Sequence, residues 1–284
     1  MPLVAWHEGN FGNNTWGHPA QDSTTFRRAY YSAVSYTDYH IGMMLAELDT
    51  LGLKETTVVA VMGDHGWQLG EMNEWRKMSN FELGVRVPLI IRTPWLPNSV
   101  GVKMNALAEA VDLFPTFSAL AGLPALPSDQ TLQGSSLVPL LVEPGNTSHY
   151  KQYAFSQFAK ALMFSSELQK QVGWNVCTTC KHNTLDFMGY SIRDDNWRYT
   201  LWFNWNKTAT LPLWDSVEGE ELYNHTGDYG ASMDAATPVR NQASDQGLQA
   251  VKAVLKAALI TQFKGDHLPP AAGTDSTAGS LVHL

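Results

Sequence analysis

A short β-branched apolar run, Val58-Val59-Ala60-Val61-Met62, ends abruptly in Gly63-Asp64-His65-Gly66-Trp67. An apolar run of this length bounded by glycine reads as a buried strand, and strands buried on both faces belong to parallel sheets covered by helices. The expectation is an α/β sheet whose strand ends here in a loop. Ligands of such sheets bind just beyond the carboxyl ends of the strands. Asp64, His65 and, thirteen residues past the aspartate, Lys77 then meet at one loop. A carboxylate is a natural donor to a hard cation, imidazole a less usual one, and an ammonium group holds an oxyanion as a compact point charge. By themselves these residues describe equally well an Asx turn with a surface histidine and a solvated loop lysine.

Around this loop, helix and strand signals alternate. Thr24 or Thr25 caps a helix whose apolar stripe runs through Phe26, Tyr30, Val34, Ile41, Leu45 and Leu48 and which stops near Gly52. Val87-Pro88-Leu89-Ile90-Ile91-Arg92-Thr93 reads as a second buried strand, with proline tolerated at its start. A helix is expected from Leu107 to Ala121, opened by Asn105 and closed by Gly122, with Pro115 forcing a kink or a restart at Asp112. A short helical turn follows, ending near Leu141. Composition changes at Glu143-Pro144-Gly145-Asn146, so residues 1–143 are expected to form an α/β core and residues 144–264 a smaller α+β subdomain. In the latter, aromatic strands at 153–158, 188–193 and 198–203, an edge at 221–225 and a helix at 246–263 point to an antiparallel sheet crossed by a helix. The turn Asp194-Asp195-Asn196 makes the second and third of these strands a hairpin. Residues 1–22 read as irregular surface chain in which His7 and His18 take no assigned role, and residues 265–284, rich in Pro, Gly, Thr and Ser, as a disordered tail.

The wider string around the loop is more specific than the tripeptide. Asp64-His65-Gly66-Trp67-x-Leu69-Gly70-Glu71, then Glu74-Trp75-x-Lys77, Ser79-Asn80-Phe81-Glu82 and Val87-Pro88-Leu89-Ile90-Ile91 resembles the second half of the sulfatase family, in its iduronate-2-sulfatase branch, through one ordered span from Asp64 to Ile91. The segments 27–38 and 111–116 with 120–123 resemble sulfatases as well, and 188–193 and 221–223 resemble the C-terminal subdomain of the iduronate-type branch. The resemblance implies an alkaline-phosphatase-like α/β fold, truncated on its N-terminal side, with the 24–52 helix packed on the sheet. It implies calcium-dependent hydrolysis of sulfate esters, with a sulfated uronic acid in a glycosaminoglycan as substrate. Asp64 and His65 are then among the Ca2+ ligands and Lys77 touches the sulfate. Trp67 and Trp75 are candidate walls of a sugar pocket, or residues that pin the loop.

The sequence also departs from that family. Its members make their nucleophile by oxidising the cysteine of Cys-x-Pro-Ser-Arg to formylglycine, and this pentapeptide does not occur in the 284 residues. The two cysteines stand as Cys177-Thr178-Thr179-Cys180, without the second pair that zinc sites use, and are expected as a local disulfide or free thiols. The paired aspartates that complete the calcium site are absent, and Gly70-Glu71-Met72-Asn73 stands where the family has Gly-Glu-His-Gly. The expectation is the later half of a longer enzyme, inactive without an N-terminal sulfatase segment or chain. Two alternatives stay open: a catalytically inactive protein that binds sulfated sugars, and a phosphoesterase of the same superfamily.

A net charge of -8 leaves no broad cationic face for a nucleic acid or an anionic membrane, and no apolar run is long enough to span one. The first residues lack the basic and apolar regions of a signal peptide, yet Asn-x-Ser/Thr sequons at Asn13, Asn146, Asn206 and Asn224 point to a secretory relative. A lysosomal or secreted full-length relative reconciles the two.

Overall fold

The computed structural model describes residues 2–5, 20–71, 74–124, 126–127, 130, 132–149, 151–161, 175–176, 181–228 and 240–265. Two compact units emerge: one holds the described residues within Met1–Met43, Gly63–Pro88 and Phe155–Asp266, the other those within Met44–Met62 and Leu89–Ala154. This grouping departs from the chain-order division at 143/144, because the segment carrying Asp64, His65 and Lys77 belongs with the C-terminal sheet. Helix α1, Ala20–Thr50, begins in the first unit and ends in the second, and the chain leaves it through Gly52 at a φ of 69°. That left-handed conformation costs glycine nothing.

The first unit is built on a five-stranded sheet in the order β6-β5-β7-β8-β9, where β5 is Ala154–Ala161, β6 Asn175–Val176, β7 Phe187–Arg193, β8 Trp197–Asn206 and β9 Leu211–Asn224. The β7–β8 hairpin pairs Arg193 with Arg198 at its mouth, and Asp194 Oδ1 accepts hydrogen bonds from the amides of Asn196 at 2.8 Å and Trp197 at 2.6 Å. An Asp with its own turn two residues on is what closes so tight a connection. The pleat then sorts the strands. Tyr190, Ile192, Tyr199, Leu201, Phe203 and Leu222 are buried and apolar, whereas the alternate positions, Ser191, Arg193, Arg198, Thr200 and Glu221, are buried and polar. Helix α5, Gln249–Lys264, lies against β7 and β8 with Leu255 and Leu259 buried, and Phe263 meets Tyr190 at 4.2 Å between ring centroids. Each of these two fully buried leucines contributes roughly 1.5–3 kcal/mol. Val4, Ala5, Phe81, Phe187, Trp202 and Tyr223 form a further core cluster, and a Cβ on Gly189 would lie 2.7 Å from the Trp202 ring, which explains the glycine.

Within the same unit lie the short ladder of β2, Gln68–Leu69, with β3, Trp75–Arg76, and the single-turn helix α2, Glu82–Val85. In the second unit β1, Val59–Met62, pairs with β4, Leu89–Arg92. Here the expectation of parallel pairing fails: the pair is antiparallel, in register Val59 to Arg92, and no third strand joins it among the described residues. Its residues alternate between half-buried and exposed instead of being buried on both faces. The 3-10 turn Ala110–Asp112 runs into α3, Leu113–Leu120, so the helix restarts at Asp112, and the expected stretch from Leu107 is not helical. Pro115 sits in the first turn of α3, where its missing N–H costs little. Buried Asp112 accepts from the Ser135 amide at 2.7 Å and from Lys151 Nζ at 2.5 Å, and Thr116 Oγ1 accepts from the Leu137 amide at 2.8 Å. These bonds lock α3 to α4, Val138–Val142.

The apolar stripe of α1 is a second correction. Phe26, Tyr30, Val34 and Leu45 are exposed, because no described layer covers that face. Cys177, Cys180, His7, His18, Asn13 and the tail 266–284 lie outside the described residues. No described helix is long and apolar enough to cross a membrane.

Candidate functional site

Directly after β1 the chain turns at Gly63, whose amide donates to Pro88 O at 3.3 Å. The Asp64 side chain bends back on the next residue, Oδ1 accepting from the His65 amide at 3.0 Å, and stays solvent-facing. This leaves the other carboxylate oxygen free to face the imidazole. That oxygen, Oδ2, stands 3.2 Å from His65 Nε2. Lys77, delivered by the β2–β3 ladder, brings its Nζ to 2.5 Å from the same Nε2. Asp64 and Lys77 thus both meet His65 at its Nε2.

The protons follow from the partners. His65 Nδ1 lies 2.8 Å from Gly66 O, an atom that only accepts, so Nδ1 carries the proton and Nε2 presents its lone pair. Lys77 then donates to Nε2. The Asp64 Oδ2 and His65 Nε2 pair puts two lone-pair atoms face to face, an arrangement that a cation stabilises and that the Lys77 ammonium serves here. One carboxylate oxygen and one imidazole nitrogen fit as part of a cation's shell. Among the described residues no third His, Cys, Asp or Glu completes a cluster with them.

Aromatic rings back the imidazole. Trp67 stacks on His65 at 6.2 Å and 29°, and Tyr30 of α1 stacks on Trp67 at 6.2 Å and 23°. Trp67 is 37 % exposed and borders the site. Trp75 is only 8 % exposed and meets Phe26 edge-on at 6.0 Å, so it packs the loop and lines no open pocket.

Behind the loop stands a group of charges that the sequence reading passed over. Glu82 is buried, with Oε2 accepting from Arg198 Nη2 at 2.7 Å and Arg193 Nε at 3.3 Å, while Oε1 takes Arg86 Nη1 at 3.3 Å. Burial by itself raises the Glu82 pKa, but the guanidinium groups of Arg198 and Arg193 overcome it and hold the carboxyl down at about 2. The nearby His225 ring is shifted the other way from a cation: burial lowers its pKa, Arg193 and Arg198 add to that, and Glu82 and Asp228 only partly oppose it. Among the described residues, His225 Nε2 and Arg193 Nη1 are buried and find no hydrogen-bond partner. The signal available in the sequence was the arginine alternation inside two aromatic strands, Arg193 and Arg198 flanking one hairpin turn.

The sequence model of the Sulfatase family matches residues 6–123, a range that contains Asp64, His65 and Lys77. The chain belongs to the sulfatase family. Within it the sequence is iduronate-2-sulfatase-like. It is 32 % identical over 243 residues to iduronate 2-sulfatase of Mus musculus and 31 % over 247 residues to that of Homo sapiens, in each case covering 72 % of this chain and 43 % of the relative. Arylsulfatase K of Bos taurus is 33 % identical over 226 residues, covering 79 % of this chain and 37 % of the relative. The chain thus spans less than half the length of these curated relatives. Its fold is that of the alkaline-phosphatase-like sulfatases. The phosphonate monoester hydrolase of Agrobacterium radiobacter superposes with a TM-score of 0.66 at 22 % identity, over 90 % of this chain and 44 % of that one. A protein solved in complex with its substrate D-glucosamine-2-N,6-O-disulfate gives 0.54 at 24 % identity, over 84 % and 41 %.

Proposed function

We propose that this chain carries the cation- and sulfate-binding half of a sulfuric ester hydrolase of the iduronate-2-sulfatase type. The observation that supports it is the convergence of Asp64 Oδ2 and Lys77 Nζ on His65 Nε2 inside the segment matched by the family. Asp64 and His65 would hold Ca2+ as two of the roughly six to eight ligands that ion takes. When bound, the ion acts as a Lewis acid on a sulfuryl oxygen. Lys77 donates N–H bonds to another sulfuryl oxygen and balances the charge that develops there. His65, its Nδ1 proton committed to Gly66 O, would turn its single Nε2 lone pair from Lys77 to the ion, freeing the ammonium group for the sulfate. Trp67 offers an apolar face to the sugar ring, and a sulfated uronic acid of a glycosaminoglycan is the substrate class we assign by relation to the iduronate branch.

Because Cys-x-Pro-Ser-Arg does not occur in these residues, the sulfuryl-accepting nucleophile and the remaining calcium ligands come from an N-terminal sulfatase segment, in the same longer protein or in a partner chain. The isolated 284 residues are then a binding half without turnover. A lysosomal or secreted setting is part of this reading, supported by the sequons, of which Asn224 is exposed on β9.

Calorimetric titration of the purified chain with CaCl2, and then with a 2-O-sulfated uronic disaccharide, tests the assignment. Asp64→Asn is expected to weaken calcium at least tenfold, and Lys77→Met to weaken the disaccharide while sparing calcium. Unaltered isotherms in both variants, or arylsulfate turnover by the isolated chain, would overturn it.

A further inference from the structure

The residues that bind need not be the residues that hold the site in shape. Helix α2 touches the site segment on both of its arms. On one side the Gly66 amide donates to Gly84 O at 3.0 Å, and a Cβ on Gly66 would fall 2.0 Å from Leu83 O and 2.9 Å from Arg86 O. The turn carrying Asp64 and His65 thus rests directly on the α2 backbone, and only glycine permits the approach. On the other side a Cβ on Gly84 would come 3.2 Å from Lys77 O and 2.9 Å from Ser79 Oγ. The carbonyl of the sulfate-contacting lysine is therefore packed against the same single turn of helix.

A single turn of helix has little stability of its own. Its place is set by Glu82 at its N-terminal end, whose carboxylate is gripped by Arg193 from β7 and Arg198 from β8, at the hairpin's mouth where the two arginines pair across the ladder. Ser191 Oγ accepts from Arg198 Nη1 at 3.1 Å and from Thr200 Oγ1 at 2.8 Å, so the guanidinium is itself held by the sheet. Just upstream, Asn80 Nδ2 donates to Gly189 O at 3.0 Å, a second tether to β7.

We propose that Glu82 is a positioning residue for the Asp64–His65–Lys77 cluster: clamped by Arg193 and Arg198 of the sheet, it seats α2, and α2 sets the spacing between the Gly66 turn and the Lys77 arm. This rests on the reading of that cluster as the binding site. Glu82 touches neither ligand nor reacting atoms. Its removal changes the site through the backbone, by letting α2 lift away from Gly66 while the sheet beneath keeps its own core.

The test is hydrogen exchange of the full 284-residue chain, read at the Gly66 amide against the amide of Leu201 in β8, together with the ring nitrogen shifts of His65 by long-range proton–nitrogen NMR. Glu82→Gln is expected to speed exchange at Gly66 at least tenfold with Leu201 unchanged. It is also expected to broaden or average the His65 nitrogen pair, now fixed with the proton on Nδ1. Arg193→Lys, which leaves the Arg198 contact, gives a smaller change in the same direction and serves if Glu82→Gln does not fold. Lys252→Met, which removes the Lys252–Glu220 pair at 2.8 Å elsewhere in the unit, should lower thermal stability without moving either readout. Gly66 exchange and His65 shifts equal to wild type in Glu82→Gln or Arg193→Lys would overturn the proposal, as would the same changes in Lys252→Met. Calcium titration separates the two readings: a wild-type chain that binds no calcium defeats the functional assignment, while the exchange pattern still decides the role of Glu82.

Discussion

The C-terminal sheet and the β1–β4 pair are both made of alternating strands, yet they solve burial in opposite ways. In β7 and β8 most residues are buried, one set of side chains apolar beneath α5 and the other largely a network of arginines, hydroxyls and carboxylates. In β1 and β4 the ladder has only two strands among the described residues, and Ile90 is 63 % exposed. A two-stranded ladder is marginal by itself, so the second region depends on whatever covers it, whereas the first carries its own core. The site segment belongs to the self-sufficient region. The geometry at Asp64, His65 and Lys77 is therefore set by the part of the chain that carries its own core.

The largest expected effect tests that completeness. Trp202→Ala removes a fully buried ring whose Nε1 donates to Glu221 at 2.6 Å, and should cost about 3–5 kcal/mol in urea unfolding of the chain. A cost below about 1 kcal/mol would mean that the sheet is not the stable core. Gly66→Ala comes next. The added methyl drives against backbone oxygen, so a loss of about 1–3 kcal/mol is expected, with calcium affinity falling further than stability does.

Acid titration of stability sharpens the contrast at the buried charges. His225 is kept neutral in the folded chain, so as pH falls below its ordinary value of 6.5 the unfolded state binds the proton first and stability drops. His225→Asn should flatten that part of the curve, measured as urea midpoints at pH 7.5 and 5.5. Glu82, held at about 2 against an ordinary 4.5, contributes fully above pH 4.5 and loses its contribution as pH falls toward 2. The smallest effect is expected at the open strand. Ile90→Thr should change stability by no more than about 0.5 kcal/mol in the isolated chain, and a cost above about 1 kcal/mol would show that this face is covered in solution.

The parts of the site legible in the sequence are those whose spacing is local. Asp64 and His65 adjoin one another at the end of an apolar run, and Lys77 follows across one short ladder, so a linear pattern suffices to place them. The β7–β8 hairpin was equally readable, from its Asp-Asp-Asn turn and aromatic alternation. Glu82 was part of a recognised string but had no visible task, because its partners lie 111 and 116 positions away. Trp75 was indistinguishable from Trp67 as a pocket wall until burial separated them.

The sequence by itself determined the family, the meeting of Asp64, His65 and Lys77 at one loop, and the periods that make α1, the C-terminal sheet and α5, since each rests on neighbours within a few turns or one loop. Tertiary structure alone decided that β1 pairs antiparallel with β4, that the α1 stripe is left exposed, and that the site loop is seated on the C-terminal sheet through Glu82. Those outcomes depend on which distant surfaces meet. Apolar periodicity states that a face seeks cover but does not name the partner, and a carboxylate in a string does not reveal the two guanidinium groups that make its burial favourable.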